Sequence, residues 1–184
     1  MSDRPAIRSA LSDDIPAITA IYAVHVHEGL ASFELTPPSA VEMANRFAAI
    51  QQAGLPYLVA ELDGRVAGYC YASYYRTRAA YHHTVEDSVY IAPWAQRRGV
   101  GKALLSEIIR ACETIGKRQM IAVIGDSGNL ASIALHKAAG FHHVGTLCDV
   151  GFKCGRWVDS VIMQRSLGPG AEMLPEGEGD LRQA

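Results

Sequence analysis

The sequence predicts an α/β (α+β) fold in which a mixed, mostly antiparallel sheet is flanked by helices. Segments with the two-residue alternation of strands and segments with the 3.6-residue spacing of helices follow one another in the order β, α, α, β, β, β, α, β, α, β, β. Residues 120–124 are nearly all apolar, as is typical of a buried strand in a parallel pair. A hairpin and a buried parallel strand in one chain predict a mixed sheet with helices on its faces.

The first half of the chain holds one predicted strand, two helices and a hairpin. Residues 12–14 supply N-cap candidates for the first helix, in whose first turn Pro16 is tolerated. Gly54 ends the second helix, and Asp63-Gly64 is a typical two-residue hairpin turn. The predicted elements are a strand at residues 6–10, a helix from residues 12–14 to His27, a helix from Ser39 to Gly54, and strands at residues 57–62 and 66–72.

The second half alternates strands and helices and is predicted to end in a tail. From Leu167 onward the chain is rich in Gly, Pro and Glu. We therefore expect one domain over residues 1–166 and a disordered tail over residues 167–184. The predicted elements are a strand at residues 84–91, a helix ending at Gly116, a strand at residues 120–124, a helix at residues 129–140, and an antiparallel pair at residues 141–148 and 158–164.

Composition excludes several classes of partner. Apolar residues make up 49% and charged residues 20% of the 184 residues, and the net charge of −2 gives no sign of a nucleic-acid or anionic-membrane partner. No apolar run approaches the roughly 20 residues of a membrane helix, and no signal peptide is evident, so a cytoplasmic location is expected. Cys70, Cys112, Cys148 and Cys154 lack Cys-x-x-Cys spacing and fit free thiols, although Cys148 and Cys154 can face each other across a hairpin.

A basic loop punctuated by glycines joins the strand at residues 84–91 to the next helix. Free N–H groups at a helix N-terminus bind anions, and neighbouring arginines favour phosphate. Two common nucleotide motifs are excluded, because Ala103 stands where a Walker loop has Ser or Thr and Leu104 stands where a dinucleotide fingerprint has a small residue. The alternative to a phosphate site is that Gly99-x-Gly101 only opens a surface helix.

The loop consists of Gln96, Arg97, Arg98, Gly99, Val100 and Gly101, followed by Lys102. It resembles the pyrophosphate-binding loop of the GCN5-related N-acetyltransferases, written Gln/Arg-x-x-Gly-x-Gly/Ala. The resemblance implies the acyl-CoA N-acyltransferase fold of that family, with which the order of predicted elements agrees. It also implies that the loop amides hold the pyrophosphate of coenzyme A, with acetyl-CoA as co-substrate and no metal.

Glu86 is the candidate general base. On an extended strand Thr84, Glu86, Ser88 and Tyr90 share one face, while Asp87 lies on the other. Acetyl transfer needs a base, because an α-amino group with a pKa of about 8 is largely protonated at neutral pH. A carboxylate in this strand would lie close to the thioester of the cofactor. The alternative is a solvated acid on an edge strand.

Asn129, Ser132 and His136 are three and four residues apart and so form one polar stripe on a helix. The stripe is predicted to face the cofactor, with Asn129 near the pantetheine arm and His136 near the sulfur atom, where it donates a proton or orients the cofactor. Many acetyltransferases have a tyrosine at the position of His136. The alternative is a histidine held by a backbone carbonyl. The remaining histidines do not align as ligands, so no metal site is expected.

Four further segments resemble the phosphinothricin acetyltransferases. They are residues 81–91, 123–125, 135–141 and 151–159, and the Gly-Phe-Lys-x-Gly-Arg-Trp-x-Asp pattern of the last is specific to that subfamily. Members acetylate the α-amino group of phosphinothricin, methionine sulfoximine and methionine sulfone. The resemblance implies Glu86 as the base, coenzyme contacts at Ser88, Val89 and Tyr90, the histidine usual in the subfamily at His136, and substrate contacts at Phe33, Arg76, Thr77, Arg78, His83, Thr84 and Val85.

We therefore expect an acetyl-CoA-dependent N-acetyltransferase that acts by direct attack on a small amino-acid analogue. An arginine near the base suits carboxylate and phosphinate or sulfone oxygens, while the alternative for Arg76 and Arg78 is a pair of solvated loop charges. Relatives in the family often pair, so a homodimer is expected. Two other functions stay open: acetylation of a protein N-terminus or polyamine, and a non-catalytic acyl-CoA sensor that needs no base at Glu86.

Overall fold

A seven-stranded sheet forms the centre of residues 4–175, the part of the chain that the computed structural model describes. The strands are β1 (Ala6–Ser9), β2 (Tyr57–Leu62), β3 (Arg65–Tyr74), β4 (Thr84–Ile91), β5 (Gln119–Gly125), β6 (His142–Lys153) and β7 (Arg156–Ser166). The helices are α1 (Ile15–Glu28), α2 (Ala40–Gln52), α3 (Val100–Thr114) and α4 (Leu130–Ala138). The strand order is β1-β2-β3-β4-β5-β7-β6, with β4–β5 parallel and the other neighbours antiparallel. The predicted mixed sheet and the predicted order of elements are confirmed.

Strand alternation divides the sheet into two faces, each covered by helices. Tyr69 and Tyr71 of β3 lie opposite Tyr90 and Ser88 of β4. This face packs under α1 and α2, where the Tyr22 ring meets the Tyr90 ring with centroids 5.0 Å apart. The residues between them point to the opposite face, which packs under α3 and α4. Neighbouring side chains of one strand therefore lie on opposite faces of the sheet, under different helices.

The strands β4 and β5 separate part-way along their length. Their parallel pairing stops at Asp87 and Ala122. Beyond this point β4 stays paired with β3 as far as Ile91, and β5 stays paired with β7 as far as Gly125. The backbone groups that β4 turns toward β5 beyond Asp87 therefore have no strand partner, and a cleft opens within the sheet.

The hairpins differ in how well their bounds match the prediction. The strands β2 and β4 agree to the residue, and Asp63-Gly64 forms the predicted turn with φ of +54° and +72°. The strands β6 and β7 are longer than predicted and meet at a turn of Cys154 and Gly155. Cys148 lies in β6 and Cys154 at its end, so the expectation that they face each other across the hairpin is wrong, and both thiols are free and exposed.

The fold continues past the predicted domain boundary at residue 166. Leu167 is fully buried in the core, and its N–H donates to the Arg118 carbonyl at 2.9 Å. The next N–H, of Gly168, donates to the Glu113 carboxylate at 3.2 Å. The expected disorder is therefore wrong for the start of the tail, because an apolar side chain just after β7 returns to the core. Residues 176–184 of the predicted tail lie outside the described residues.

Candidate active site

A cavity of about 750 Å³ occupies the cleft between β4 and β5. Its volume lies in the range of small-molecule and cofactor sites. The end of β4, the loop before α3, the start of α4 and the segment after α1 form its walls. The predicted coenzyme contacts that line it are Val89, Tyr90, Gln96, Arg97, Gly99, Val100, Gly101, Lys102, Asn129 and Ser132. The structure thus brings together residues that lie far apart in the sequence.

Two predicted coenzyme contacts are placed differently. Ser88 does not line the large cavity but a smaller one of about 50 Å³ at the point where the strands separate. Arg98 lines neither, and its guanidinium forms an ion pair with Asp63 at 3.0 Å. Arg98 therefore ties the loop to the turn between β2 and β3, a role that the basic pattern of the loop did not reveal.

The N-terminus of α3, at the wall of the large cavity, has the features of an anion site. Arg97 and Gly99 have left-handed φ values of +58° and +79°, which turn the chain into the helix. No side chain caps this 15-residue helix, so its first N–H groups are available to a ligand. Arg97 and Lys102 border the same space. Free amides, a helix dipole and two cations fit the pyrophosphate of coenzyme A.

The segment after α1 covers the cavity, and sequence analysis missed it. The His25 Nε2 atom lies 2.9 Å from the carbonyl oxygen of Ile91, at the end of β4. At the end of β5, a Cβ on Gly125 would lie only 2.3 Å from the Leu30 carbonyl oxygen, so glycine is required where this segment crosses. No local pattern marks residues 28–31, because their contacts are with distant strands.

Glu86 is half-buried on the face of β4 that packs under α1 and α2. Burial raises the pKa of its carboxyl group above the ordinary value, and the Asp87 charge adds to this, while Arg76 opposes it. A raised pKa strengthens a carboxylate as a base near neutral pH. Glu86 lies two residues before Ser88, where the cleft begins. Its position and its pKa both fit a base beside the cofactor.

Asp87, on the opposite face from Glu86, forms a buried ion pair with His136. The His136 Nε2 and Asp87 Oδ2 atoms are 3.1 Å apart, and Nδ1–H donates to the Ser132 carbonyl at 2.8 Å. Burial alone would lower the pKa of His136, but the hydrogen bond to Asp87, its charge and the Ser132 carbonyl raise it. The raised pKa favours the protonated ring, in which both nitrogens carry a hydrogen that Asp87 and the Ser132 carbonyl accept.

The contacts of His136 favour one of the two interpretations of its role, although it also lines the small cavity beside Ser88. Its side chain is 5% exposed and both ring nitrogens are engaged, so a histidine held by a backbone carbonyl fits better than a proton donor to the sulfur atom. Sequence analysis missed Asp87 as the partner. The available signal was a carboxylate between Val85 and Val89 on the apolar face of β4, where a charge needs a partner.

Comparisons with known proteins identify the family of the chain. Residues 19–141 match the model of the Acetyltransferase (GNAT) family. The chain belongs to this family. It is 57% identical over 170 residues to a phosphinothricin N-acetyltransferase of Alcaligenes faecalis, covering 92% of this chain and 86% of that protein. It is 40% identical over 164 residues to an L-methionine sulfoximine/L-methionine sulfone acetyltransferase of Salmonella typhimurium, covering 88% of this chain and 94% of that protein.

A solved structure identifies the co-substrate. The crystal structure of a GNAT superfamily phosphinothricin acetyltransferase from Sinorhizobium meliloti, in complex with acetyl-CoA, superposes with a TM-score of 0.91 at 49% identity and covers 94% of each chain. The protein is an N-acetyltransferase that uses acetyl-CoA. Within residues 4–175 no three His, Cys, Asp or Glu side chains lie together as metal ligands, and no helix there is long and apolar enough to cross a membrane.

The predicted substrate contacts of this N-acetyltransferase lie partly around Glu86. The Arg76 guanidinium stacks on the Tyr75 ring at 4.7 Å from its centroid, and its charge lowers the pKa of Glu86. Thr84 is half-buried on the same face of β4 as Glu86. Arg78 is exposed in the loop before β4, as is Thr77. An arginine beside the candidate base is therefore present, as expected.

The other predicted substrate contacts are placed elsewhere. Val85 is fully buried on the face opposite Glu86, so its side chain points away from that carboxylate, and a substrate contact at Val85 stays a prediction. Phe33 packs on β6, where a Cβ on Gly151 would lie 2.5 Å from its ring. His83 is half-buried, and its carbonyl oxygen accepts from the Arg118 N–H at 2.8 Å, which anchors the start of β4 to the start of β5.

Proposed function

We propose that this N-acetyltransferase acetylates the α-amino group of a small amino-acid analogue of the phosphinothricin, methionine sulfoximine or methionine sulfone type. The observation that carries the proposal is Glu86, a half-buried carboxylate with a raised pKa on the strand that borders the acetyl-CoA cleft. Arg76 beside it suits an acceptor that bears a carboxylate or phosphinate. The names of the two relatives point to the same class of acceptor.

Acetyl-CoA supplies the acetyl group as a thioester. Glu86 accepts a proton from the ammonium group of the acceptor, directly or through one water molecule, and the neutral amine then attacks the carbonyl carbon. N–H groups of successive strand residues point to opposite sides, so either Val89 or Tyr90 directs its amide into the cleft and donates to the carbonyl oxygen. The C–N bond forms, the C–S bond breaks, and the thiolate takes up the second proton, which the nitrogen loses as the amide forms. Glu86 then releases the first proton to solvent.

Charge around Glu86 favours this acceptor over the alternatives. A polyamine would need acidic groups around the base, whereas Arg76 and Arg78 stand in the adjacent loop. A non-catalytic sensor of acyl-CoA would need the anion site at α3 but no half-buried carboxylate at Glu86. Thiol release with an N-terminal peptide as acceptor distinguishes acetylation of a protein N-terminus from the main proposal.

We also propose that the enzyme is a homodimer assembled through β6 and β7. The strand β6 lies at the edge of the sheet, and Val144, Leu147, Val150 and Phe152 on it are between 52% and 58% exposed. Trp157 on β7 is 63% exposed. An exposed apolar edge strand is a surface on which another chain can pair. A two-fold pairing of two copies covers the exposed apolar side chains of β6 and β7 in both of them. The cytoplasmic location stays a prediction, with which the four free cysteines agree.

Thiol release from acetyl-CoA tests the proposal. The panel contains methionine sulfone, methionine sulfoximine, phosphinothricin, ordinary amino acids, an N-terminal peptide and spermidine. Turnover confined to the analogues with tetrahedral oxygens supports the proposed acceptor. Turnover with the peptide or spermidine instead assigns a different acceptor, and coenzyme binding with no turnover across the panel favours the sensor.

A further inference from the structure

The loop between β3 and β4, residues 75–83, carries Arg76 and has few attachments to the rest of the protein. Residues 76–82 are all exposed, so none of their side chains is buried in the core. The N–H groups of Tyr81 and His82 donate at 2.9 Å to carbonyl groups of the same loop, and these bonds shape the loop without attaching it to the sheet. The position of the loop therefore depends on the contacts at its two ends.

Lys117, which follows α3, contacts both ends of this loop. Its Nζ atom donates to the His82 carbonyl at 3.0 Å, just before β4. The same atom lies 4.7 Å from the centroid of the Tyr74 ring, at the end of β3. The rings of Tyr74 and His82 also approach each other, with centroids 5.3 Å apart. One ammonium group thus joins the end of β3 to the chain that enters β4.

The ammonium group of Lys117 is buried without a carboxylate partner. Lys117 is 6% exposed, and within residues 4–175 it forms no ion pair. Removal of a charge from water costs free energy that a partner has to offset. Here a carbonyl oxygen and an aromatic face stabilise the charge, and both belong to the ends of the loop. The charge of Lys117 therefore serves the attachment of the loop.

The Lys117 contacts and Arg76 lie on opposite faces of the sheet. Tyr74 pairs in register with Val85, which is buried on the face opposite Glu86. Tyr75 comes one residue later, and its N–H donates to a carbonyl of β4 at 3.3 Å. Because successive residues of a strand point to opposite faces, Tyr75 and the Arg76 guanidinium stacked on it lie toward the face of Glu86. Lys117 thus holds the base from which Arg76 reaches Glu86.

We propose that Lys117 is a positioning residue for the acceptor, which holds the two ends of the β3–β4 loop together so that the Arg76 guanidinium stays beside Glu86. This inference rests on the proposed function and adds to it a residue that sets acceptor affinity from outside the site. Lys117 lines neither the large cavity nor the small cavity beside Ser88. Its replacement should therefore affect the acceptor and leave the coenzyme bound.

The pKa of Glu86 reports where Arg76 lies. The charge of Asp87 on the same strand raises this pKa, and the charge of Arg76 lowers it. Tyr71 on β3 also interacts with Glu86, but burial raises the pKa of its hydroxyl group, so it stays neutral near pH 7. If Arg76 moves away, the pKa of Glu86 should rise further. Carbon-13 NMR titration of enzyme with labelled glutamate, its signal assigned by Glu86→Gln, measures this pKa without an acceptor.

Lys117→Met tests the attachment of the loop. Methionine keeps the length of the side chain without the charge, and an apolar replacement of a buried charge is often neutral for stability. Calorimetric titration of methionine sulfone into enzyme saturated with CoA measures acceptor binding without transfer. Binding should weaken by about tenfold, as loss of a charge-assisted hydrogen bond from Arg76 does, while the affinity for CoA should stay within about twofold.

Lys137→Met is the matched control. Lys137 is exposed on α4 and lines neither the large cavity nor the small one. Its replacement should change the affinities for methionine sulfone and for CoA by less than about twofold, since exposed sites tolerate substitution. The pKa of Glu86 should also stay unchanged in this variant.

A double-mutant cycle with Arg76→Gln tests whether Lys117 acts through Arg76. Each single variant should weaken acceptor binding by about tenfold. Independent effects would multiply to about a hundredfold, whereas a shared effect should leave the double variant within about threefold of the weaker-binding single variant. The pKa of Glu86 should rise in both single variants and no further in the double variant.

The outcomes separate the role of Lys117 from the proposed function. Unchanged acceptor binding and an unchanged pKa of Glu86 in Lys117→Met would overturn the positioning role, and so would effects that multiply with those of Arg76→Gln. Equal losses of acceptor and CoA binding would show a general structural role and overturn it as well. A raised pKa of Glu86 in Lys117→Met, in an enzyme that neither binds nor acetylates the analogues, would support the positioning of Arg76 and overturn the proposed function alone.

Discussion

Replacing Glu86 with glutamine tests the central step of the proposed mechanism. Glu86→Gln keeps the size of the side chain but removes its ability to accept a proton. A general base contributes a factor of about 10²–10⁴, so kcat/KM for methionine sulfone should fall by about that factor. Because Glu86 does not line the large cavity proposed to hold acetyl-CoA, the affinity for CoA should stay within about twofold, as expected for a site without shared partners. Thiol release measures turnover, and calorimetry measures CoA binding.

The pH dependence gives an independent check of the same step. Only ionised Glu86 accepts a proton, so kcat/KM of the unaltered enzyme should fall as the pH decreases through the pKa of Glu86. Burial and Asp87 raise this pKa, so the fall should lie above the ordinary value of 4.5, and it should vanish in Glu86→Gln. Glu107→Gln on α3, where the half-buried Glu107 pairs with Arg110, serves as the control. Unchanged turnover of Glu86→Gln at pH 7 would refute the assignment.

Three further predictions concern the anion site, the buried ion pair and the assembly. Arg97→Ala should weaken CoA binding by about tenfold or more, as loss of a charge-assisted hydrogen bond does, whereas Arg98→Ala should have a smaller effect in the same titration, since Arg98 is held by an ion pair outside the cavity. Asp87→Asn should lower the free energy of unfolding in urea by about 3–5 kcal/mol, because it leaves His136 without its partner in the interior. Burial lowers the pKa of His136, but its contacts with Asp87 and the Ser132 carbonyl raise the pKa by more, so the net pKa lies above the ordinary value of 6.5. The stabilisation by the pair is therefore complete below pH 6.5 and is lost as the pH rises through the raised pKa. Equal free energies of unfolding on both sides of that range would contradict this. Trp157→Lys should convert the dimer to a monomer in light scattering, and an unaltered enzyme that is monomeric would contradict the proposed homodimer.

The local part of the site followed from the sequence, and the long-range part did not. Alternation along β4 predicted that Glu86 and Asp87 lie on opposite faces, and the structure confirms it. The glycine pattern likewise predicted the turn into α3, because a left-handed residue such as Gly99 is a local requirement. By contrast, the partner of Asp87 lies 49 residues away in α4, and Leu30 crosses β5 from the other end of the chain. Such contacts depend on tertiary packing, which no short pattern encodes.

The two neighbouring carboxylates of β4 also link stability to the proposed catalytic step. Asp87 is stabilised in the interior by His136, and its charge is one cause of the raised pKa of Glu86. The Asp87 carboxylate therefore does more than hold α4 against β4 through His136, since its own negative charge lies one residue from the proposed base. In Asp87→Asn the acid limb of kcat/KM should move to lower pH along with the loss of stability. A destabilised variant with an unmoved acid limb would show that burial alone sets the pKa of Glu86 and that the pair is structural only.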